Sequence, residues 1–503
     1  MVRMRLDREK FGALVGGEWV AEGEWIDIRS PFDASVVGRV VRGTPEQLER
    51  AIDAAVEAFA VTRSMRAYER QRVLRSAADE IEHRKEEFAC AICLEAGKPI
   101  KTARAEVDRA LLTLRVSAEE ATRITGEYLP LDYDGAAQGR WGLVRRFALG
   151  PIAAITPFNF PLNLVCHKLG PAIAAGCPVV LKPAPQTPVT ALMLAEAIDR
   201  AGWPKGALSA LYLSNEDASA LIEDDRLKML SFTGSAAVGW RLKSRAGKKK
   251  VALELGGNAA CIVHGDADLE YAAQRCVTGG FAYAGQSCIS VQRILVEARV
   301  YESFLSTFVP KVKALRVGDP VDEATEVGPL IRESDAVRAE SWIKEAVDSG
   351  AKLLCGGRRT GAMLEPAVLT ATRPDQRVNC AEIFAPVVTV ESYESFDEAL
   401  ARVNASEFGL QAGVFTRDAA LTMLAFERLE VGGVVVGDVP TFRIDPMPYG
   451  GVKDSGIGRE GVRYAIEEMT ERKLLVWALP GAPPPERDSR VPDKPAWPRS
   501  AGS

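Results

Sequence analysis

A chain of 503 residues, 47% hydrophobic and 26% charged, has material for about two to four domains with large buried cores. Its formal net charge of −5 removes any electrostatic case for a nucleic-acid partner. The opening MVRMRLDREK leads into no apolar h-region, no run of about 18 apolar residues occurs, and the cysteines follow no framework spacing, so a cytoplasmic protein with no secretory signal and no membrane span is expected.

In chain order, residues 12–42 alternate apolar and polar around glycine and proline (GGEWV, AEGEW, DIRSP), the pattern of short strands and hairpins. Thr44-Pro45-Glu46-Gln47 reads as a capping box with proline at the first helical position, and Leu48, Ile52, Val56 and Phe59 recur behind it at helical spacing. Helical patterns continue over 68–95 and 105–122, with Gly97 as a stop. Cys90 and Cys93 form a CxxC inside the first of these, without a second pair or nearby histidine, which argues against a zinc or redox site. The three histidines, His83, His167 and His264, are too dispersed for a histidine-based centre, so no metal is expected.

Residues 125–147 break the helical rhythm with YLPLDYD, a Gly/Ala turn and RWGLVRRF. They predict an extended two-strand arm with little core of its own, suited to packing on another subunit. From Pro151 strands are predicted at 152–156, 178–182, 208–213 and 228–232 with helices between them, the signature of a parallel, doubly wound nucleotide-binding sheet. A second α/β series is expected from about 251 to 436, and the proline-rich, charged stretch from Pro480 reads as a disordered tail.

Several residues in this frame can carry chemistry. The stretch 281–290, FAYAGQSCIS, places Cys288 after Gly285, Gln286 and Ser287, between a helical segment and a strand-like run over 290–297. Backbone N–H groups at such a loop favour a reactive thiolate; the alternative is a small buried hydrophobe. The first α/β series lacks GxGxxG. Its glycine pair is Gly234 and Gly239 in SFTGSAAVGW, where Gly234 permits a tight turn and Ser235, with the helix N-terminus after it, can meet a pyrophosphate. Lys182, in VVLKPAPQTP, ends a strand at an edge where ligands bind, or is an ordinary solvated lysine. Glu254, in VALELGGN, sits in an apolar strand, where it finds a salt-bridge partner or has its pKa raised, as suits a general base. Asn159, in ITPFNFPLN, follows a strand end, where its amide can donate to an oxyanion or serve the turn.

With these pieces in place, the sequence closely resembles the aldehyde dehydrogenase superfamily from GGEWV near the start to TERKLLVW near the end. TPFNFP, LKPA, FTGS, LELGGN, GQSC, EIFAP and YGGVKDSGIGRE follow in that family's order. The resemblance implies a fold with two parallel-sheet α/β domains. One is a Rossmann-like cofactor domain (1–124 and 148–253) and the other a catalytic domain (254–440). A small β oligomerisation arm (125–147 and 465–479) of a homodimer or homotetramer is implied too, with a substrate and anchor loop (441–464). It further implies that Cys288 is the nucleophile, Glu254 the general base, Asn159 with the Cys288 backbone N–H the oxyanion hole, and Glu460 a second, proton-relay carboxylate. Thr156, Pro157, Phe158, Lys182, Gly234, Ser235, Gly239, Leu255, Glu382 and Phe384 are implied to form the site for NAD or NADP. FNFPLNLVCHK and VPTFRIDPMPYGG resemble the lactaldehyde dehydrogenase-like branch most.

Two departures from the family pattern bear on specificity. NAD-preferring relatives often carry a glutamate three residues after the cofactor lysine; this chain has Pro185, so NADP is expected to be accepted. Relatives acting on phosphorylated glyceraldehyde tend to have arginine just before the nucleophile, where this chain has Ser287. His167, Arg443 and Tyr449 are expected at the substrate, with the Arg443 guanidinium matched to a small polar or anionic aldehyde. The alternative places Arg443 outward, paired with Asp445. Relatives that acylate coenzyme A typically lack the carboxylate at Glu254, so a free acid is the expected product. The competing readings are a coenzyme A-acylating enzyme and a catalytically silent relative.

Overall fold

The capping box at Thr44 closes in both directions at the head of helix Pro45–Thr62: Gln47 N donates to Thr44 Oγ1 and Thr44 N to Gln47 Oε1, each at 3.2 Å. The computed structural model describes residues 4–478, so the tail from Pro480 lies outside the described residues. The helix expected over 68–95 is two, Ala67–His83 and Lys85–Ala96, because Arg84 leaves helical geometry (φ −105°, ψ 22°). Gly97 ends the second at φ +64°, where a Cβ would come within 2.7 Å of the Pro31 and Pro329 rings. Cys90 and Cys93 are buried in that helix, and burial pushes the Cys90 thiol up to about 12. They pack the core.

Two sheets position the chemistry. The first runs, edge to edge, Gly456–Ile457, Lys250–Glu254, Met229–Thr233, Ile152–Ile155, Val179–Lys182, Leu208–Ala210, Ala13–Val15 and Glu18–Val20. Its five central strands are parallel, and antiparallel partners flank both sides. From Ile152–Ile155 the chain winds outward through Val179–Lys182 to Leu208–Ala210, then returns to the other side through Met229–Thr233 and Lys250–Glu254. The order reverses between Ile152–Ile155 and Met229–Thr233, and their carboxyl ends open the crevice where ligands bind in doubly wound sheets.

One assignment from the sequence needs correction here. The apolar run near Val251 was expected to begin the second series, but Lys250–Glu254 pairs with Met229–Thr233 in the first sheet. An apolar run marks a buried strand without saying which sheet receives it. The second sheet begins at Ala260–Val263 and has the order Lys352–Cys355, Ala367–Thr370, Val387–Tyr393, Arg293–Glu297, Ala260–Val263, Gln411–Phe415, Gly433–Val436. It is parallel except at the Lys352–Cys355 edge.

Both sheets belong to one compact unit, which spans the chain up to Arg123 and Ala148–Thr470. A second unit takes in Ile124–Phe147 and residues 471–478. Its sheet has three strands, since Thr470–Ala478 joins the expected pair Glu127–Pro130 and Arg140–Ala148. Trp141 stacks on Trp477 (5.8 Å between centroids, 5° between planes), and Leu474, Leu475 and Val476 stay about half exposed in the single chain. Residues 465–468, expected in the arm, instead end helix Val462–Glu468. Among the described residues no helix is long and apolar enough to cross a membrane, and no cluster suited to a metal ion occurs.

Candidate active site

A cleft of about 450 Å3 opens at the point where the strand order reverses. Thr156, Pro157, Phe158 and Asn159 enter it from the end of one strand, Gly234 and Ser235 from its neighbour, and Lys182 and Glu254 from the next strand on either side. Leu255, Glu382, Phe384 and Cys288 also line it, and Phe158 meets Phe384 edge to face at 5.9 Å. Of the cofactor residues expected from the sequence, Gly239 alone is absent from this lining. It packs helix Ala236–Arg245 against the sheet, where a Cβ would lie 2.3 Å from Leu255 Cδ2. Lys182 is buried, and burial lowers its ammonium to about 8; its Nζ lies 3.4 Å from Asn215 Oδ1.

Cys288 rides on a strained reversal. After helix Leu269–Phe281, Tyr283 (φ 50°), Ala284 (φ 53°) and Gly285 (φ 70°) are left-handed in succession, a conformation costing a non-glycine residue about 1 kcal/mol or more. Tyr283 is held by its hydroxyl on Ala96 O (2.9 Å), and Gln286 straps the loop by donating to Pro329 O (3.2 Å) and accepting from Ile331 N (2.8 Å). The strand expected from Ser290 starts only at Arg293. The sulfur lies 2.8 Å from Tyr449 Oη. The sequence led us to expect a setting that favours thiolate. Burial instead pushes the Cys288 thiol up to about 12, against the pull of the Tyr449 hydrogen bond and the Arg443 charge.

Asn159 is buried beside this loop, with Nδ2 donating to Gln286 O at 3.1 Å and Oδ1 without a partner. Its position is set by a charge invisible to motif reading. Lys98 Nζ, fully buried and ion-paired to Glu106, donates to Asn159 O (2.7 Å) while lying over the Phe160 ring. Glu106 Oε1 in turn accepts from Leu162 N and Asn163 N (3.0 and 3.2 Å), fixing the turn into helix Asn163–Ala175.

Glu254 found no salt bridge. Both its oxygens are buried without hydrogen-bond partners, and burial, then the nearby Glu460, raise its pKa well above the ordinary carboxylate range. Behind it Lys168, Glu460 and His167 line a small cavity of about 10 Å3 that Glu254 also borders. The two acids are driven apart: burial opposes ionisation of Glu460 as well, but Arg443 and Lys168 hold it down at about 2. Glu460 Oε2 accepts from Arg443 Nη2 (2.9 Å), while its Oε1 is buried without a hydrogen-bond partner.

The loop before Tyr449 departs from the outward alternative expected for it. Arg443 does not point outward, nor does it pair with Asp445: its side chain is buried, stacked 3.7 Å over the Tyr449 ring and tied to Glu460. Asp445 accepts from Arg109 through two nitrogens (2.8 and 3.2 Å), from Asn163 Nδ2 (2.9 Å) and from His167 Nε2 (2.8 Å). Burial, and after it Arg443, lower the His167 pKa. Neither His167, Arg443 nor Tyr449 lines the large cleft; Tyr449 meets it through Cys288. Lys98, Glu106, Arg109 and Lys168 were missed in the sequence, where the first looks like a loop charge and the others like helical ones.

The geometry agrees with comparisons to known proteins. The model of the Aldehyde dehydrogenase family matches residues 19–475. The chain is 46% identical over 472 residues to 3-sulfolactaldehyde dehydrogenase of Priestia aryabhattai, covering 94% of this chain and 98% of that protein. Aldehyde dehydrogenase 21 from Physcomitrella patens, solved with the reaction product succinate, has a TM-score of 0.93 at 46% identity, covering 95% of this chain and 100% of that one. Glyceraldehyde-3-phosphate dehydrogenase from Methanocaldococcus jannaschii, solved with NADP, has a TM-score of 0.88 at 38% identity, covering 92% and 100%. The chain belongs to the aldehyde dehydrogenase family and is an NAD(P)-dependent aldehyde dehydrogenase.

Proposed function

We propose that the protein oxidises a small polar or anionic aldehyde to its carboxylic acid through a thioester on Cys288, which Glu254 clears by activating water. One observation carries this reading: Cys288 and an unpartnered Glu254 face the same cleft at the strand reversal. The residues there suit a dinucleotide. Lys182 is a buried cation with no carboxylate partner among the described residues, Ser235 stands at the N-terminus of helix Ala236–Arg245 without a capping hydrogen bond of its own, and Glu382 presents a carboxylate to the cleft while accepting from Gly257 N (3.0 Å). These would hold phosphates and ribose hydroxyls, with Thr156, Pro157, Phe158, Gly234, Leu255 and Phe384 shaping the walls. When bound, the dinucleotide supplies the hydride acceptor that no side chain provides.

The side chains do the rest. Cys288 sulfur, as thiolate, adds to the carbonyl carbon, and the second N–H of Asn159 Nδ2 is free to donate to the oxyanion. Loss of hydride leaves the thioester. Glu254 takes a proton from water, the hydroxide displaces the sulfur, and acid and thiolate separate. Coenzyme A in the assay distinguishes the acylating alternative, since acyl-CoA would then form in place of acid. Reduced-cofactor formation over a panel of aldehydes, with NAD and NADP in parallel, tests the whole reading; no turnover with any small aldehyde would end it.

The polar-substrate preference rests on charge. Arg109 and Arg443 pair with Asp445 and Glu460 beside the loop before Tyr449. Arg443 Nε is buried without a partner, and Arg109 is 30% exposed beside Phe160. The relatives named for sulfolactaldehyde and solved with succinate support an anionic substrate. Arg109→Leu is expected to cost about 2–4 kcal/mol in kcat/KM for an anionic aldehyde and little for a neutral aldehyde of equal size. Equal losses for both would make Arg109 structural.

For the cofactor, Pro185 lines the cleft three residues after Lys182 and brings no charge toward a 2′-phosphate, which supports acceptance of NADP. Pro185→Glu is expected to shift the NADP-to-NAD ratio of kcat/KM toward NAD by about tenfold or more, the effect of ~1.4 kcal/mol of repulsion. An unchanged ratio means the ribose is recognised elsewhere.

A further inference from the structure

We propose that the Tyr449 hydroxyl is the hydrogen-bond donor that stabilises the Cys288 thiolate, and that Arg443, anchored by Glu460, is the positioning residue that aims it. The inference rests on Cys288 being the nucleophile. Tyr449 Oη lies 2.8 Å from the sulfur, and Tyr449 is buried at 4% exposure. In the neutral pair either atom can donate, but a thiolate has no hydrogen, so only the tyrosine can donate to it. That bond is charge-assisted and therefore stronger once the sulfur ionises, which is the differential stabilisation a partly buried nucleophile requires.

A closed triangle fixes the hydroxyl. Tyr449 N donates to Glu460 O (3.0 Å) and Glu460 N to Tyr449 O (2.6 Å), an isolated antiparallel bridge that sets the two residues side by side. Glu460 Oε2 accepts from Arg443 Nη2 (2.9 Å), and the Arg443 guanidinium returns to cover the Tyr449 ring at 3.7 Å. A cation on the face of a phenol draws electron density from it and makes its O–H a better donor. The charged or titratable groups facing the sulfur are Tyr449 and Arg443, which favour the thiolate, and Glu382 and Glu254, which oppose it. Tyr449 faces Cys288, Arg443 and Glu254. Glu460 acts in this arrangement as the anchor of Arg443.

The test is the pH dependence of Cys288 alkylation by iodoacetamide in the full chain. It is followed on the peptide bearing Cys288, since eight other cysteines are also free. Tyr449→Phe is expected to move the midpoint of the rate profile upward by about one pH unit or more, making alkylation about tenfold slower below both midpoints. The high-pH plateau should stay within about twofold. Arg443→Met should move the midpoint the same way by less, and Arg443→Lys should recover part of that shift by restoring the charge. An unmoved or lowered midpoint in Tyr449→Phe overturns the proposal, as does a fallen plateau at fixed midpoint, which would mark lost packing. If Tyr449→Phe does not fold, the Arg443 pair decides: equal midpoints in Met and Lys variants remove the charge from the account and with it the proposal. Retained turnover in Cys288→Ala would instead defeat the nucleophile assignment itself.

Discussion

Cys288→Ala is expected to lower turnover by about 1,000-fold or more while leaving dinucleotide affinity within about twofold. The thiol makes the bond that converts a planar carbonyl into a tetrahedral centre able to release hydride, and no other free cysteine lines the cleft. The alanine side chain leaves the reversal at Tyr283–Gly285 and the Gln286 strap in place, since neither uses the sulfur. Stopped-flow formation of reduced cofactor measures the first quantity, and quenching of cofactor fluorescence on titration measures the second. Normal turnover in this variant would remove the mechanism; lost cofactor binding would show that the residue holds the cleft together.

Glu254→Gln is expected to separate the two halves of the reaction. Acylation needs the thiolate and an oxyanion donor, so one equivalent of reduced cofactor should still form in a burst. Deacylation needs a base on water, so steady-state turnover should then fall by about 100- to 10,000-fold. The pH profile follows from the same residue. Burial and Glu460 raise the Glu254 pKa, so the ionised base is scarce at low pH and accumulates as pH rises through that value. Steady-state kcat of the unaltered enzyme should therefore climb with pH, and the glutamine variant should lack that limb. A variant with no burst but intact folding would place Glu254 in acylation or in structure.

What could be seen in the sequence was chemistry placed at strand ends. Thr156–Asn159, Gly234–Ser235, Lys182 and Glu254 each follow or close an apolar run, and a parallel sheet gathers the carboxyl ends of its strands into one crevice. What could not be seen depends on distant partners. Lys98 and Glu106 reach Asn159 and Leu162 across 61 and 56 residues, and in sequence they are ordinary charges of a loop and a helix. Arg443 had Asp445 as its alternative partner, the nearest acid, but the bridge between Tyr449 and Glu460 brings a different carboxylate beneath it. The Cys288 thiol was read from its small neighbours, whereas its acidity is set by burial and by a tyrosine 161 residues away. Arg84 breaks a helix with neither glycine nor proline to announce it.

The thioester itself can be weighed. Intact-protein and peptide mass spectra of enzyme quenched during turnover, with Glu254→Gln to let the intermediate accumulate, measure the central step directly. The predicted result is an adduct on the peptide containing Cys288, heavier by the mass of the aldehyde less two hydrogens, that needs cofactor to form and disappears on treatment with hydroxylamine. Burst formation of reduced cofactor with no adduct on that peptide, or an adduct on another residue, would contradict it.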